Sequence, residues 1–547
     1  MIDTILDSWI RAAEAGEPVW LNDVRTACAK APGCSRVVFR LTLCDGTRRD
    51  FVHFLPPWAD GAQRGFVREL LCACVFNTLS AFSGRELRIF HDTKNEALAG
   101  LLAELPALFQ TEEPRRSGYG KAVSVADRLS AALGGGPFRF AFSELSEYAP
   151  LPAAPSAPAA DMGLALARAL RRAGRGLCCG LDVGGTDVKL ALARDGALID
   201  LREMDWDPAS FTEAEQLIEP LLALLRAVLA DCGAERFDAV GLSFPDVVVR
   251  DRIVGGETPK TRGMRGNPAL DYERDFAKLT ALRERLGALC RPGASVRIVN
   301  DGSMAAFTAA MELYCGGRGE LLTGGVLAHT LGTDLGTGWL LPDGRVPELP
   351  LEIYDFLLDL GSRPQRAFAP EDLRGVCNEN SGLPGVRRYL GQAACYRMAQ
   401  ELAPELLDGF VEQADGLLRI RSAPEDLRKP CLEQLMALAE QGQPQAEEIF
   451  RRVGLHLAQV SREIDFLLHP ETRQRFLFGR FVKRRRCFEL IREGCAALCP
   501  GLELIAADED LSDSPLMRQL AATGPGAVAR CGQAVGAIYY ALAGEAD

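Results

Sequence analysis

Residues 182–189 read Asp-Val-Gly-Gly-Thr-Asp-Val-Lys and directly follow a run of apolar residues that predicts a strand. Glycines at Gly184 and Gly185 allow backbone N–H groups to approach phosphate oxygens, because no Cβ stands in the way. The carboxylate of Asp182 could orient the water shell of Mg²⁺. The string lacks the Gly-Lys-Ser/Thr ending of a Walker loop. It therefore predicts a different kind of phosphate-binding turn, and an ordinary hairpin turn is the alternative.

A second turn of glycines and threonines, Gly-Thr-Asp-Leu-Gly-Thr-Gly at 332–338, follows about 150 residues later. Strand-like residues flank it on both sides, and its backbone could surround a second face of the same phosphates. The turn alone is a weak motif. The pair is what we expect if two similar subdomains face one nucleotide.

Asn300 and Asp301 end an apolar strand and precede a predicted helix at 303–313. Open α/β sheets bind their ligands at the carboxyl ends of strands. A carboxylate at this position could accept the proton of a substrate hydroxyl that attacks a γ-phosphate. The alternative is that the pair caps the helix, a role that Asn and Asp also favour.

The elements needed to position these motifs are those of an α/β protein. Strands are predicted at 176–182, 188–193, 237–243, 296–300 and 475–478, a strand pair at 325–331 and 338–341, and long helices at 65–82, 162–173 and 213–231. Residues 1–148 are predicted as an accessory α+β domain of unknown role, with a hairpin around Asp45-Gly46. A Pro- and Ala-rich linker with a helix spans 149–174. The remaining region, 175–545, carries all three motifs, and no sequence repeat is visible in it.

Composition narrows the functional class. A chain of 547 residues predicts two or three domains. Its net charge of −12 argues against general nucleic-acid binding. The 17 cysteines are scattered, without zinc-finger spacing, and favour reduced thiols in a cytosolic protein. No signal peptide and no apolar run of about 18 residues is evident, so we expect a cytoplasmic protein without a membrane span.

Together the three motifs resemble the ROK family of sugar kinases, within the wider hexokinase and actin-like ATPase superfamily, over roughly 175–545. The resemblance implies a duplicated actin-like (ribonuclease H-like) fold with two subdomains around a cleft. It implies ATP-dependent phosphorylation of a hexose or N-acetylhexosamine, with Mg²⁺ and with Asp301 as general base. Asn300 would hold sugar hydroxyls. The residues that would contact the nucleotide are Asp182 (through Mg²⁺ and water), Gly184, Gly185, Thr186, Lys189, Gly332, Thr333, Gly336 and Gly479.

Two further segments resemble the sugar-lining parts of that family. Residues 258–263, Thr-Pro-Lys-Thr-Arg-Gly, nominate Thr261 and Arg262, with Lys260 as a near alternative. Residues 347–352 contain two candidates for the glutamate that binds sugar hydroxyls, Glu348 and Glu352, of which Glu352 is preferred. Late in the chain, 478–480 and 532–537 resemble the adenosine-side turn and the closing helix. The expected partners are a sugar and ATP, and a homodimer is one assembly that the resemblance allows.

The sequence also departs from the family. The structural zinc motif is missing, so we predict no zinc, and Cys377 stands alone. Asp334 replaces a usual glycine of the second phosphate turn, and Arg480 replaces a glycine of the adenosine-side turn. His329 is predicted to be a packed strand residue. The departures at Asp334 and Arg480 keep open the alternative of a sugar or nucleotide sensor without turnover. A ROK-type transcriptional regulator is a second alternative, because the family that the motifs resemble includes sugar-responsive repressors.

Overall fold

The computed structural model describes residues 2–152, 162–255, 258–507 and 511–544. Most of the predicted linker, 153–161, lies outside this range. The part before it contains α1 (Ile2–Glu14), α2 (Leu21–Lys30), β1 (Ser35–Thr42), β2 (Arg48–Leu55), α3 (Gly61–Phe82), β3 (Glu86–His91), α4 (Glu96–Leu102), α5 (Leu105–Leu108), α6 (Gly120–Ala132) and β4 (Arg139–Glu144). Helix α7 (Met162–Ala173) follows, with the predicted bounds.

The N-terminal unit, 2–148, has a four-stranded sheet in the order β2-β1-β3-β4. Strands β1 and β2 form the predicted hairpin, and Asp45 accepts a hydrogen bond from the Thr47 amide at 2.8 Å in its turn. Helix α3 starts four residues before the predicted position. It is long and apolar enough to cross a membrane, a feature that the sequence prediction missed, but 83% of its most apolar window is buried inside the protein. Its composition therefore reflects a core position.

Lobe I, residues 177–300, is the first half of the predicted two-subdomain region. It contains β5 (Leu177–Val183), β6 (Asp187–Arg194), β7 (Ala197–Asp205), α8 (Ala214–Asp231), β8 (Phe237–Phe244), β9 (Val248–Val249), β10 (Arg252–Ile253), α9 (Arg262–Gly266), α10 (Tyr272–Thr280), α11 (Leu282–Gly287) and β11 (Cys290–Asn300). The main sheet has the order β11-β8-β5-β6-β7. Strands β5, β6 and β7 are antiparallel neighbours, whereas β8 and β11 are parallel to β5.

Lobe II, residues 301–544, is the second half. It contains α12 (Asp301–Cys315), β12 (Val326–Leu331), β13 (Leu335–Leu340), α13 (Arg387–Leu390), α14 (Gln392–Leu402), β14 (Val411–Ala414), β15 (Leu417–Ile420), α15 (Arg428–Glu440), α16 (Pro444–Leu468), β16 (Gln474–Gly479), α17 (Arg485–Leu498), β17 (Glu503–Ala506), α18 (Pro515–Ala521) and α19 (Ala527–Ala543). Its main sheet has the order β13-β12-β16-β17. Here β12 and β13 are antiparallel, and β16 and β17 continue in parallel.

The two main sheets have the same topology. In each, an antiparallel hairpin is followed by two parallel strands on the side of the first hairpin strand, and lobe I adds one antiparallel edge strand. This repetition confirms the predicted α/β fold, a duplicated actin-like fold with two subdomains and an additional N-terminal part. The duplication is one of topology, because the sequence shows no repeat.

Helices α12 and α19 lie between the two main sheets. Helix α19 packs on β5 and β8 of lobe I, α12 packs on β12 and β13 of lobe II, and the two helices contact each other. The approach of α19 depends on two glycines. A Cβ at Gly180 would overlap the Ala534 carbonyl oxygen, and one at Gly241 would overlap that of Ala537. Both contacts are with backbone atoms of α19, so no flexible side chain could move to make room for a Cβ.

The N-terminal unit shares one hydrophobic core with lobe II. Buried residues of α1, α2 and α3 belong to the same cluster as those of α14, α16 and α17. A buried ion pair crosses this junction, with Arg25 Nη1 at 2.6 Å from Glu463 Oε2. The separation of 1–148 as a domain stays a prediction, since its elements pack into lobe II.

The glycine contact predicts a steric effect on stability. Gly241→Ala places a methyl group against the backbone of α19 and is expected to lower the free energy of unfolding by about 1–3 kcal/mol. Gly65→Ala is the matched control, because no atom lies within 4 Å of the added Cβ in α3 and alanine favours helix by up to about 1 kcal/mol. Urea unfolding followed by circular dichroism measures both. Equal stability of Gly241→Ala and wild type would contradict the close packing of α19.

Candidate functional site

The β5–β6 turn presents unpaired backbone groups at its tip. The Gly184 amide donates to the Asp187 carbonyl at 2.8 Å, and Trp206 supports the turn from β7 by donating through Nε1 to the Gly184 carbonyl at 3.1 Å. Gly185 and Thr186 are exposed at the tip. Within the described part of the chain, their amides have no acceptor. A rigid turn with two free amides is a suitable place for an anion.

The β12–β13 turn has the same character. The Gly332 amide donates to the Asp334 carbonyl at 3.1 Å, and the Gln392 amide at the start of α14 donates to the Gly332 carbonyl at 2.9 Å. Thr333 is exposed, and neither its amide nor its hydroxyl has a partner among the described residues. Gly336 faces Thr330 across the hairpin, where a Cβ would overlap the Thr330 hydroxyl. A glycine is therefore required at position 336 by the packing of β13 against β12.

Asp334, the unexpected acid of this turn, is neutralised by a partner. Arg387 at the start of α13 forms an ion pair with it, and both side chains are largely buried. Burial lowers the pKa of Arg387, but the carboxylates of Asp334 and Glu379 more than offset this, so that pKa is raised overall. The charge that would repel a phosphate is thus balanced within the protein.

Asn300 begins helix α12 as an N-cap. Its Oδ1 accepts from the amides of Gly302 at 2.9 Å and Ser303 at 3.4 Å, and its Nδ2 donates to the Asp246 carbonyl at 3.0 Å. The helix-capping interpretation is confirmed for Asn300. Contact of its side chain with a sugar stays a prediction.

Asp301, the next residue, is brought against the second turn by close helix–strand packing. A Cβ at Gly302 would lie 2.5 Å from the Thr337 carbonyl, and one at Gly338 would overlap the Gly302 carbonyl. Burial raises the pKa of Asp301, Lys260 opposes this effect, and Asp334 adds to it. The carboxyl of Asp301 therefore lies in electrostatic contact with the second turn and with Lys260.

Asp182 at the end of β5 faces the same space. Burial raises the pKa of Asp182 to about 6; Lys189 opposes the shift, whereas Asp301 contributes to it. Lys189 also forms an ion pair with Asp187. Asp182 and Asp301 are thus two neighbouring, desolvated carboxyls, the donor type that Mg²⁺ prefers. The residues present fit such an ion.

The three candidate residues Lys260, Thr261 and Arg262 lie in different environments. Thr261 is buried, and its hydroxyl donates to the Thr258 carbonyl at 3.2 Å and accepts from Arg265 at 2.6 Å. Arg262 points to the surface, where it pairs with Glu379 at 2.6 Å. Lys260 approaches the first turn, since its Cε would lie 3.7 Å from a Cβ at Gly185, and its charge acts on Asp301. Lys260, which the sequence analysis gave as the alternative to Thr261 and Arg262, is therefore the residue of the three that lies between the first turn and Asp301.

The two glutamate candidates are separated by the structure. Glu348 lies at the surface in an ion pair with Arg250, at 2.7 Å and 3.0 Å. Glu352 is inside the cleft, where burial, and then the neighbouring carboxyls of Asp355, Asp246 and Asp301, raise its pKa well above the usual value. Glu352 is thus brought together with Asp301, and Glu348 is not.

The predicted adenosine-side turn lies beside the β12–β13 turn. Gly479 pairs with Leu331, has a φ of +100°, and could not carry a Cβ, which would overlap the Leu331 carbonyl. Arg480 interacts with Glu433 at 3.7 Å. Lys483, which the sequence analysis missed, has its pKa lowered by burial and by the nearby cations Arg480 and Lys189. Three cations, Arg480, Lys483 and Lys189, therefore lie near one another at this end of the cleft.

Other sequence predictions concern packing. His329 is fully buried, and its Nδ1 lies 3.0 Å from the Thr337 hydroxyl, as predicted for a packed strand residue. In the 532–537 segment, a Cβ at Gly536 would overlap the hydroxyl of Thr308 in α12, which indicates helix packing. Cys377 is buried. Within the described ranges, no group of three or more His, Cys, Asp or Glu residues could hold a metal ion.

Several residues of the site carry no motif. Asp246 follows β8, is buried, and accepts from the Val247 amide at 2.7 Å through its side chain. The sequence signal that could have identified Asp246 was its position directly after Phe244-Pro245, at the end of a predicted strand. Arg387 stands in the short helix α13 and Lys483 in the bend before α17, neither with a distinctive spacing, and only the fold brings them to the cleft.

Comparison with known proteins gives structural relatives only. No protein-family profile matches the chain, and no curated protein matches it. The chain is similar to a ROK family glucokinase from Streptomyces griseus solved with glucose and AMPPNP, at 19% identity and a TM-score of 0.43, over 68% of this chain and 100% of that one. It is also similar to a glucokinase from Balamuthia mandrillaris solved with glucose, at 14% identity and a TM-score of 0.43, over 70% and 98%.

A ROK family transcriptional regulator, described as a homolog of E. coli MLC protein, is similar at 13% identity and a TM-score of 0.41, over 67% of this chain and 81% of that one. The solved structures to which the chain is similar thus include ROK-family sugar kinases, the family that the motifs resemble, and a ROK-family regulator.

The Asp334–Arg387 ion pair predicts that substitutions of its two residues have non-additive effects on the free energy of unfolding. Arg387→Met leaves the carboxylate of Asp334 without its partner and is expected to lower the free energy of unfolding by about 2 kcal/mol. Asp334→Asn in the same chain should recover most of that loss, because no uncompensated charge remains. Chemical unfolding of the two single variants and the double variant tests the coupling. Additive losses would show that the pair contributes nothing.

Proposed function

We propose that this protein is a ROK-type sugar kinase that transfers the γ-phosphoryl group of ATP to a hydroxyl of a hexose or N-acetylhexosamine. The observation that carries the proposal is the position of Asp301. Its desolvated carboxyl lies beside Asp182, Lys260 and the second turn, between two backbone turns that each offer free amides. Phosphoryl transfer needs positioning and charge neutralisation at such a place more than covalent chemistry by the protein.

In this proposal the two turns hold the phosphate oxygens. The amides of Gly185, Thr186 and Thr333 and the two threonine hydroxyls donate to them, and Lys260 neutralises part of the charge. Asp182 orients the water shell of a magnesium ion, which screens the phosphates when bound. Lys189 and Lys483 make the nucleotide end of the cleft favourable for anions.

Asp301 acts as the general base. Burial raises the pKa of Asp301, which makes the ionised carboxylate a stronger proton acceptor than an exposed aspartate, and the charge of Lys260 opposes this rise. Asn300 holds Asp301 at the helix start, and Glu352 orients the acceptor hydroxyls. Closure of the two lobes would exclude water and limit hydrolysis of ATP.

The alternatives receive less support. Asp334 and Arg480 were the reason to consider a sensor without turnover. In the structure Asp334 pairs with Arg387 and Arg480 with Glu433. A regulator would need an independent DNA-binding unit, whereas helices α1 to α3 are packed into lobe II. Free thiols at all 17 cysteines fit the proposed cytoplasmic location.

An ADP-release assay with MgATP and a panel of hexoses and N-acetylhexosamines tests the proposal. Asp301→Asn is expected to lower kcat by about 10²- to 10⁴-fold, the range of general-base catalysis. Lys260→Met should mainly raise the KM for ATP. Asp408→Asn is the matched isosteric control at an exposed position and should retain wild-type rates. Undiminished sugar phosphorylation by Asp301→Asn would contradict the assigned role.

A further inference from the structure

The segment that carries Glu352 is held by the N-terminal unit. The amides of Glu352 and Leu351 donate to the carbonyls of Ser80 and Ala81, at 2.9 Å and 3.3 Å, at the end of α3. Leu351 has a φ of +51°, a left-handed conformation that a branched side chain rarely adopts. Such a conformation persists only when its surroundings impose it. Here the surroundings are the last turn of α3.

Asn77 fixes the other end of the same segment. Its side chain is fully buried; Oδ1 accepts from the Leu357 amide at 2.7 Å and Nδ2 donates to the Leu357 carbonyl at 3.0 Å. Nδ2 also donates to Glu463 at 2.9 Å. The backbone of 351–357 is thus bound at both ends by one helix of the N-terminal unit, and the position of Glu352 depends on that helix.

Helix α6 forms one side of a cavity next to Glu352. The cavity has a volume of about 10 Å³ and is lined by Ser80, Lys121, Ala122 and Val125 of the N-terminal unit, facing Glu352, Asp355 and Asn380. It has room for at most a single water. Helix α6 therefore closes directly on this side of Glu352, and a smaller side chain on α6 would open space beside that glutamate.

The same helix also contacts lobe I. Val125 and Leu129 belong to a small apolar cluster with Val247, Val249 and Val254 near β9 and β10. Helix α6 therefore extends from the Glu352 segment of lobe II to lobe I and covers the acceptor end of the cleft.

A polar contact supports this cluster. Arg128 donates to the Gly255 carbonyl and to Glu273 Oε1, each at 2.8 Å. Apolar and charged contacts on successive turns fix the rotation of α6, so that Lys121, Ala122 and Val125 face the cavity.

We propose that helix α6 forms the wall of the acceptor pocket that determines acceptor specificity. This inference rests on the proposed function. Val125 and Ala122 limit the size of the acceptor at the Glu352 side, and the stem of Lys121 completes the wall. The N-terminal unit is in this way part of the site, and the region 175–545 alone would lack one side of its acceptor pocket.

The test compares two valines of α6 in the full chain. Val125→Ala removes two carbon atoms from the wall and is expected to change the KM for the preferred acceptor at least about tenfold, the lower end of the effect of such a change in a pocket. It should also admit acceptors that are bulkier at one position, with the KM for ATP unchanged. Val123→Ala is the matched control: Val123 is fully buried in the lobe II core, away from the cavity, so stability falls while acceptor preference stays.

Lys121→Met provides a second readout at a partly exposed position and should also shift the acceptor KM. An active wild type whose acceptor preference is identical in Val125→Ala, Lys121→Met and Val123→Ala would overturn the proposed wall and leave the kinase assignment intact. A wild type that releases no ADP with any acceptor would contradict the kinase assignment. Calorimetric titration with the same sugars then tests the wall, and equal affinities of wild type and Val125→Ala would overturn it.

Discussion

The backbone contact between the first turn of α12 and β13 determines the arrangement of the site. Gly302 and Gly338 meet without side chains, so the helix start reaches the strand that leaves the second turn. Asp301 is thereby placed at the junction of the two lobes, and Asn300 fixes the helix start by capping it. The glycines of β5 and β8 bring α19 equally close to lobe I. Site geometry in this fold is thus a consequence of backbone packing at a few positions.

Such packing creates an electrostatic cost that the protein offsets locally. Four acids of the cleft, Asp182, Asp301, Asp334 and Glu352, come close together, and burial raises the pKa of three of them. Lys189, Lys260 and Arg387 supply opposing charge at the positions nearest the two turns. Lys260 thus lies beside Asp301, Lys189 beside Asp182 and Arg387 beside Asp334, so each of these cations is next to an acid whose charge it compensates.

Much of this arrangement was predictable from local sequence. Helix α7 and the β1–β2 and β5–β6 hairpins were recognisable because turn residues and hydrophobic periodicity are local signals. The duplicated fold was expected from motif order. What could not be predicted arises from contacts between residues far apart in the chain. Asp334 looked like an unfavourable charge because Arg387, more than fifty positions later, carries no motif. The merging of the N-terminal unit with lobe II has the same origin, since Asn77 binds Leu357 only in the folded protein.

The most direct measurement is the identity of the phosphorylated product. The protein is incubated with MgATP and each sugar of the panel, and phosphorus NMR follows the γ-phosphorus. We expect a sugar phosphate ester formed in equal amount to ADP with at least one sugar, and its disappearance when Asp301 is replaced by asparagine. A γ-phosphorus that appears only as inorganic phosphate, at a rate independent of every sugar, would contradict it.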